Sequence, residues 1–453
     1  MSSVRSRLIQ GVAANGFGQA VNLTIQVLSV PLFLSVWGQR LYGEWLLLST
    51  IPGYLSVSDL SFGVAAGNDM TMRVANGDRS GAVAVFQGAW LLVTALSGVF
   101  LVGAVMCVHF LPWTEWLRFG EFGATDARVV ADLFVLQVIL TQQGGILAAG
   151  YRCDGNYARG IAVVNAIRLL EFGVSAVALV STRSPAVVAA CVLSTRSLAF
   201  WLAFLDLVRR TPWLSLGWSR RDMQLMRHLI GPALSFNAYP LGYALTLQGT
   251  LTVVGVLFGP AAATLFSTTR TLTRVVWQAV SAISNTIWVE LSAAFGRGDL
   301  ARARHLHRRA LCLAVWLAVL GSLALTSLGP AVFRFWTHGK LRVDYGLFYL
   351  MVLLGMVSVV WSTSYIVPMA ANRHQKQAVW FLVAGGVSVA LTALAGMAFG
   401  LTGVPLGLIG AELLLCVVVL RSTLAMLGES VAGLAKAVLR VPWLVTRAPE
   451  VGS

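Results

Sequence analysis

Long apolar runs follow one another along this chain and leave it few folds to adopt. A helix needs about 20 apolar residues to cross the hydrocarbon core of a bilayer. By that measure the 453 residues contain twelve runs, near 10–36, 43–66, 83–108, 129–150, 159–180, 186–208, 229–257, 262–290, 310–329, 346–370, 378–399 and 406–425. In lipid each backbone N–H and C=O must be satisfied internally, so runs of this length predict α-helices. Only 11% of the residues are charged, and the deficit extends from end to end; soluble domains carry about 25%. The expected fold class is an all-α polytopic membrane protein. Two breaks are weakly marked. FGPAA at 258–262 must turn the seventh run into the eighth, and FGLTGVPLG at 399–407 must turn the eleventh into the twelfth. Arg5 and Arg7 precede a run too long for a signal-peptide core, which is read as the first span.

The net charge of +15 has to be divided by membrane side before it implies a partner. With the N-terminus in the cytoplasm, 22 Lys and Arg fall in cytoplasmic segments, seven on the far side and four inside spans, out of 33. A bias of about three to one satisfies the positive-inside rule and predicts a multi-pass protein of the bacterial inner membrane with both termini cytoplasmic. It also removes the reason to expect nucleic acid. Trp37, Trp45, Trp113, Trp116, Trp213, Trp218, Trp336 and Trp443 fall at predicted interfaces, where amphipathic rings settle. The five cysteines are scattered without a CxxC pattern, and the six histidines fall in loops or at span ends. His305 and His307 are not spaced for one helix face. No metal and no cofactor are expected.

The chain reads as four parts: an N-terminal lobe at 1–208, a cytoplasmic linker at 209–228, a C-terminal lobe at 229–425 and a tail at 426–453. The tail is expected as an amphipathic helix on the cytoplasmic surface or as an extension of the last span. A shift of 221 residues relates the lobes. It lays WGQRLYGEW at Trp37 on FGPAAATLF at Phe258, NGD at 76–78 on RGD at 297–299, and Arg152 on Arg373. A duplication of six spans gives parallel repeats, with a cavity expected between two six-helix lobes.

Charges inside spans are costly, about 2.5–3.5 kcal/mol each, and normally face the protein interior. Arg270 and Arg274 are four apart on span eight, so they share a helix face about 6 Å apart along the axis. Arginine stays charged and offers a planar fork of donors suited to phosphate. The two could hold a diphosphate. Alternatively, Arg270 reaches the interface and Arg274 pairs with an acid on another helix. Arg168 and Glu171 on span five are spaced for an intrahelical pair, with a cavity role for Arg168 as the alternative. Arg196 on span six either joins the basic set or pairs with Asp59. Asp59, Glu171 and Glu412 are candidates for ion coupling or structural partners of arginines. Asp132, Asp206 and Glu290 lie near span ends and are expected to be solvated. Pro232 and Pro240, with Gly242, would bend span seven. The basic run RARHLHRR at 302–309 is expected to attract anionic headgroups.

The first two spans read VPLFLSVWGQRLYGEWLLLSTIPGYLSVSDLSFGVAAGNDMTMRVANGD. This resembles the polysaccharide (O-antigen type) flippases of the multidrug/oligosaccharidyl-lipid/polysaccharide exporter (MOP) superfamily. Gly38, Tyr42 and Gly43 match that family's G-x-x-x-Y-G element. Asp59-Leu60 matches its aspartate–leucine–glycine segment, with Ser61 in place of the glycine. ISNTIWVELSAAFGRGD resembles the end of span eight, with Val289 where a proline is common. The resemblance implies a MATE-like fold with a central cavity and alternating access by rocking of the lobes. It implies an undecaprenyl-diphosphate-linked oligosaccharide as cargo, moved to the periplasmic leaflet. Expected partners are that lipid, a proton or sodium counter-ion, anionic membrane lipids and polysaccharide polymerase machinery. A multidrug exporter of the same superfamily is the alternative; a cationic drug would favour acids over the four intramembrane arginines. A membrane glycan polymerase or ligase is a third reading. The loops near 109–128 and 330–345 are short for it, and no carboxylate pair or nucleophile with a base emerges, so no enzyme is expected.

Overall fold

A computed structural model of the protein describes residues 4–55, 60–155, 157–215, 217, 238–371 and 373–439. Among these the chain is nearly all helix, with no strand. α1 (Val4–Leu48) is two helices run together: Gly38 sits between them at φ 73° and ψ −175°, backbone that residues with a Cβ avoid. α2 (Thr50–Leu55) and α3 (Leu60–Ala75) carry the second pass onward. Gly77 then takes φ 79°. Asp78 accepts from the Gly81 backbone N–H at 2.7 Å and caps α4 (Arg79–Phe110). A short α5 (Trp113–Trp116) leads to α6 (Ala124–Cys153), α7 (Tyr157–Thr182) and α8 (Pro185–Arg210). Ser184 caps α8, and Pro185 occupies its first turn, where no N–H is needed.

The second half opens with helix over Ala238–Phe258 that contains a π-helical turn, Leu245–Gly249, before α9 (Thr250–Phe258). α10 (Pro260–Thr273) and α11 (Val275–Gly296) follow with a break at Arg274. α12 (Leu300–Trp336), α13 (Tyr345–Ala370), α14 (Gln375–Phe399) and α15 (Gly403–Leu427) complete the long helices. Asp299 and Asp344 cap α12 and α13.

Among the described residues, nine segments are long and apolar enough to cross a membrane. Twelve were expected, and the difference has local causes. Gly16–Tyr54 runs through the Gly38 kink and Gln375–Leu427 runs through the Gly400 turn (φ 68°), so each joins two of the expected spans. The helix expected at 262–290 is present but divided at Arg274. Large apolar side chains point outward along these helices: Val99, Phe110 and Phe335 are more than two-thirds exposed. Such a surface would drive aggregation in water and is the natural surface toward lipid.

The chain divides into two compact units. Unit 1 comprises Met1–Ala244 and Gly259–Thr264; unit 2 comprises Leu245–Phe258 and Leu265–Ser453. In unit 1, α3, α4, α6 and α8 share a core of Phe62, Met70, Phe86, Ile146, Tyr151 and Leu207. The end of α8 is fixed by Asp206, which accepts from Arg159, Arg210 and the Tyr151 hydroxyl. This carboxylate was expected to be solvated; it instead ties α6, α7 and α8 together. In unit 2, Leu291, Ala303, Ala310, Val367 and Leu427 pack one end of α11, α12, α13 and α15. His307, expected at a span end, is fully buried there, with Nε2 3.2 Å from Ser364 Oγ. Gly428, at φ 59°, stops α15. The tail therefore starts a new helix, α16 (Val431–Val438), whose Leu434 packs on Leu311 and Leu424.

The 221-residue register appears in the backbone. Gly38 and Gly259 (φ 83°) both have positive φ and both precede a helix; so do Gly77 and Gly298 (φ 71°). Asp78 and Asp299, the next residues, each cap a long helix through the backbone N–H three residues on. Asp59, Pro232, residues 218–231 and 440–453, including Trp443, lie outside the described residues.

Candidate functional site

The intramembrane charges form two clusters, one in each unit. In unit 1, Arg196 of α8 grips Glu171 of α7 with a bidentate fork: Nε to Oε1 at 2.5 Å and Nη2 to Oε2 at 2.6 Å. Its remaining Nη1 donates to the Thr141 hydroxyl of α6. The spacing of Arg168 and Glu171 favoured a pair within α7, but the carboxylate is taken up across the helix interface. The reason is geometric. An i,i+3 pair on a helix surface is worth a few tenths of a kcal/mol, about 0.2–0.5, whereas a two-bond fork is charge-assisted and directional. Arg168 lies close enough to feel both charges, yet forms no ion pair among the described residues. It is exposed, on the same face of α7 as the buried Asn165 and Ser175.

The opposite face of α7 is different in kind. Ala166, Leu169, Gly173 and Val177, with Phe17 and Val187, line an open groove of about 800 Å³. No charged side chain lines the groove. It is not the charged site.

In unit 2, the π-helical turn explains Arg270. A π turn shifts the hydrogen-bond ladder by a residue and leaves a carbonyl available. Arg270 Nη1 donates to the carbonyl of Leu247, a residue of this turn, at 2.9 Å, and its guanidinium lies 5.2 Å from the centre of the Phe266 ring. A carbonyl is a neutral acceptor and leaves the charge in place. Arg274 stands at the break between α10 and α11, 5.1 Å from the Trp277 ring centre. Glu412 of α15 feels its charge and also accepts from Trp361 Nε1 of α13. Trp277 Nε1 donates to Ser362 Oγ at 3.3 Å. Thus an acid on another helix lies within the field of Arg274.

Several functional-grade polar residues were not singled out from sequence. Gln142 accepts from Ser97, and Gln143 Nε2 donates to Thr94 Oγ1 at 3.2 Å, making a polar seam between α4 and α6 beside Thr141. The adjacent glutamines in an otherwise apolar span were the available signal. Glu44, fully buried, accepts from the backbone N–H groups of Gly120, Glu121 and Phe122 at 2.7–2.9 Å. Among the described residues no group of His, Cys, Asp and Glu is arranged to hold a metal ion.

The Glu171–Arg196 pair is largely shielded, with side chains 10% and 20% exposed. Removing one member leaves a charge unpaired in low dielectric, at a cost of about 3–5 kcal/mol. Glu171→Leu is therefore expected to lower thermal stability in detergent strongly. The double variant Glu171→Leu/Arg196→Leu should recover most of the loss. Equal and additive losses in the two single variants would show that the pair is not coupled.

No protein-family model and no curated protein matches the sequence. Solved structures do match over almost the whole chain. An inward-facing multidrug resistance MATE transporter of the MOP superfamily superposes with TM-score 0.73 at 14% identity, covering 91% of this chain and 99% of its own. A MATE transporter in complex with MaL6 gives 0.65 at 13% identity, with 95% and 97% covered. A MOP superfamily transporter from Pyrococcus furiosus, described by the reverse polarity of its binding pocket, gives 0.65 at 13%, with 93% and 95% covered. The chain has the fold of the MATE transporters of the MOP superfamily.

Proposed function

We propose that the protein is a non-enzymatic transporter that moves an undecaprenyl-diphosphate-linked oligosaccharide from the cytoplasmic to the periplasmic leaflet of a bacterial inner membrane by alternating access. The observation that carries this reading is the sign of the intramembrane charge. Away from the span ends, the described residues include Arg168, Arg196, Arg270 and Arg274 against Glu171 and Glu412, while Glu44, Asp132, Arg159, Asp206, Glu290 and Arg421 lie nearer the ends. Glu171 is committed to Arg196, so that pair is structural. A diphosphate is the cargo group suited to guanidinium forks such as those of Arg270 and Arg274. Arg270 and Arg274 of unit 2 are its contacts in this reading.

Glu412 is the better placed of the described acids for ion coupling, because its neighbours are Trp361 and the field of Arg274 rather than a bidentate arginine. While ionised it competes with the diphosphate for Arg274; protonated, it releases Arg274 to the cargo. Span seven bends near Pro240 and the π turn, and Arg270 reports that bend to the site. Anionic lipids meet the basic start of α12, and polysaccharide polymerase machinery receives the product. The second reading, a multidrug exporter, is favoured by the fold relatives described as multidrug MATE transporters. The relative described by a pocket of reverse polarity supports the view that this fold serves cargoes of more than one charge.

The double variant Arg270→Ala/Arg274→Ala is expected to reach the membrane in normal amounts and abolish surface polysaccharide. Normal polysaccharide in that strain rejects the anion site. For orientation, a reporter fused after Gly123 should read periplasmic and one after Arg302 cytoplasmic; the reverse pattern, or one side for both, contradicts the topology.

A further inference from the structure

The tail helix α16 carries apolar residues on two adjoining faces, and only one of them is covered. Leu434 and Val438, four apart, pack with Leu311 of α12 and Leu424 of α15. The Val438 carbonyl also accepts from the buried Cys312 thiol at 3.8 Å. Val431, Ala435 and Leu439 follow the same spacing on the next face, because residues four apart lie one above the other. All three are exposed, Val431 to 72% and Leu439 to 78%. A helix whose apolar band is wider than its contact with the protein has a second apolar or interfacial surface to meet.

The covered side is firmly held. Arg304 of α12 donates through Nε and Nη2 to the Leu427 carbonyl, at 2.9 and 2.7 Å, and so satisfies a terminal carbonyl of α15. Arg308 donates to Glu429, whose side chain is 1% exposed. Ser430 Oγ accepts from the Gly433 backbone N–H at 3.1 Å and caps α16. Position and charge then say what meets the open side. α15 ends a segment apolar enough to cross a membrane, and α16 begins at Val431, four residues beyond Leu427. Four residues reach at most about 14 Å, which keeps α16 beside the end of a span. In residues 300–312 and 420–439 the only acid is Glu429, already taken by Arg308. Arg421 and Lys436 are exposed and Arg309 is partly so.

We propose that the open face of α16 is a binding surface for an anionic bilayer leaflet. Val431, Ala435 and Leu439 enter the boundary between headgroups and acyl chains, and Lys436 and Arg421 meet lipid phosphates. The helix fills the angle between the ends of α12 and α15 and the lipid surface, with apolar contacts on both sides. Because Arg304 and Arg308 tie its leading turn to α12, the lipid contact anchors the ends of α12 and α15 as well. The inference concerns the tail and does not depend on the cargo.

The test is fluorescence quenching on the full chain in nanodiscs, with an environment-sensitive dye on Ala435→Cys and the five native cysteines replaced by alanine. The quencher is a lipid spin-labelled near its carbonyl groups. In nanodiscs of phosphatidylcholine with phosphatidylglycerol the dye should be quenched and its emission shifted to the blue. Val431→Ser/Leu439→Ser, at exposed positions that leave the core untouched, should abolish both effects. Quenching should be weaker in phosphatidylcholine alone, and Lys436→Gln/Arg421→Gln should remove the difference between the two lipids. A dye that stays unquenched in the anionic nanodiscs, or is quenched equally in the Val431→Ser/Leu439→Ser variant, overturns the membrane surface and leaves the face to water or a protein. Equal quenching of the parent in both lipid compositions overturns the anionic assignment.

Discussion

A guanidinium inside an apolar helix bundle must find its acceptor within the protein, and most of the interior polar architecture here follows from that demand. The two units meet it differently. In unit 1, Glu171 supplies a full counter-charge to Arg196, and Thr141 takes the remaining bond, so three helices are fixed at one point. In unit 2, a π turn in the helix leading to α9 presents the Leu247 carbonyl to Arg270. Glu412 stands in the field of Arg274 while bonded to Trp361. The first solution neutralises and staples. The second answers Arg270 with a neutral carbonyl and sets a carboxylate in the field of Arg274.

The duplication supplies the frame in which these differences arose. Positive-φ glycines at 38 and 259, and at 77 and 298, and caps at Asp78 and Asp299 keep one register across 221 residues. These are positions where backbone geometry leaves few residue choices, so they persist when little else in the sequence does. The intramembrane arginines of span eight have no such constraint. Arg270 and Arg274 fall on Ser49 and Gly53 in the first copy, so the charge belongs to one repeat alone.

How much was legible in the sequence differs by element. Helices read well because a bilayer demands long apolar runs, and Asp78, Ser184 and Asp299 mark starts that any chain would use. Pass boundaries at Gly259 and Gly400 were legible as glycines in weak turns. The partner of Glu171 was not. Sequence spacing reports neighbours along one helix, while the winning bond crosses to α8, and nothing local encodes which helix lies alongside. His307 looked like part of a basic surface run, yet its ring points into the core while its neighbour Arg308 turns to Glu429. A helix carries successive residues to faces about 100° apart, so a charged run can hide a buried member. The G-x-x-x-Y-G element was readable as a pattern but not as a cause; Gly38 makes the turn, Tyr42 fills the core and Gly43 lets Pro260 approach.

The central claim is that excess intramembrane arginine charge selects an anionic lipid cargo. It is tested most directly with the purified protein in vesicles carrying a polyprenyl-diphosphate-linked oligosaccharide in the outer leaflet, following its accessibility to an added glycosidase. The account predicts that a large fraction of the glycan becomes protected when the protein is present and stays accessible in protein-free vesicles. Glycan that remains fully accessible, while the same vesicles move a cationic dye along an imposed proton or sodium gradient, would contradict it.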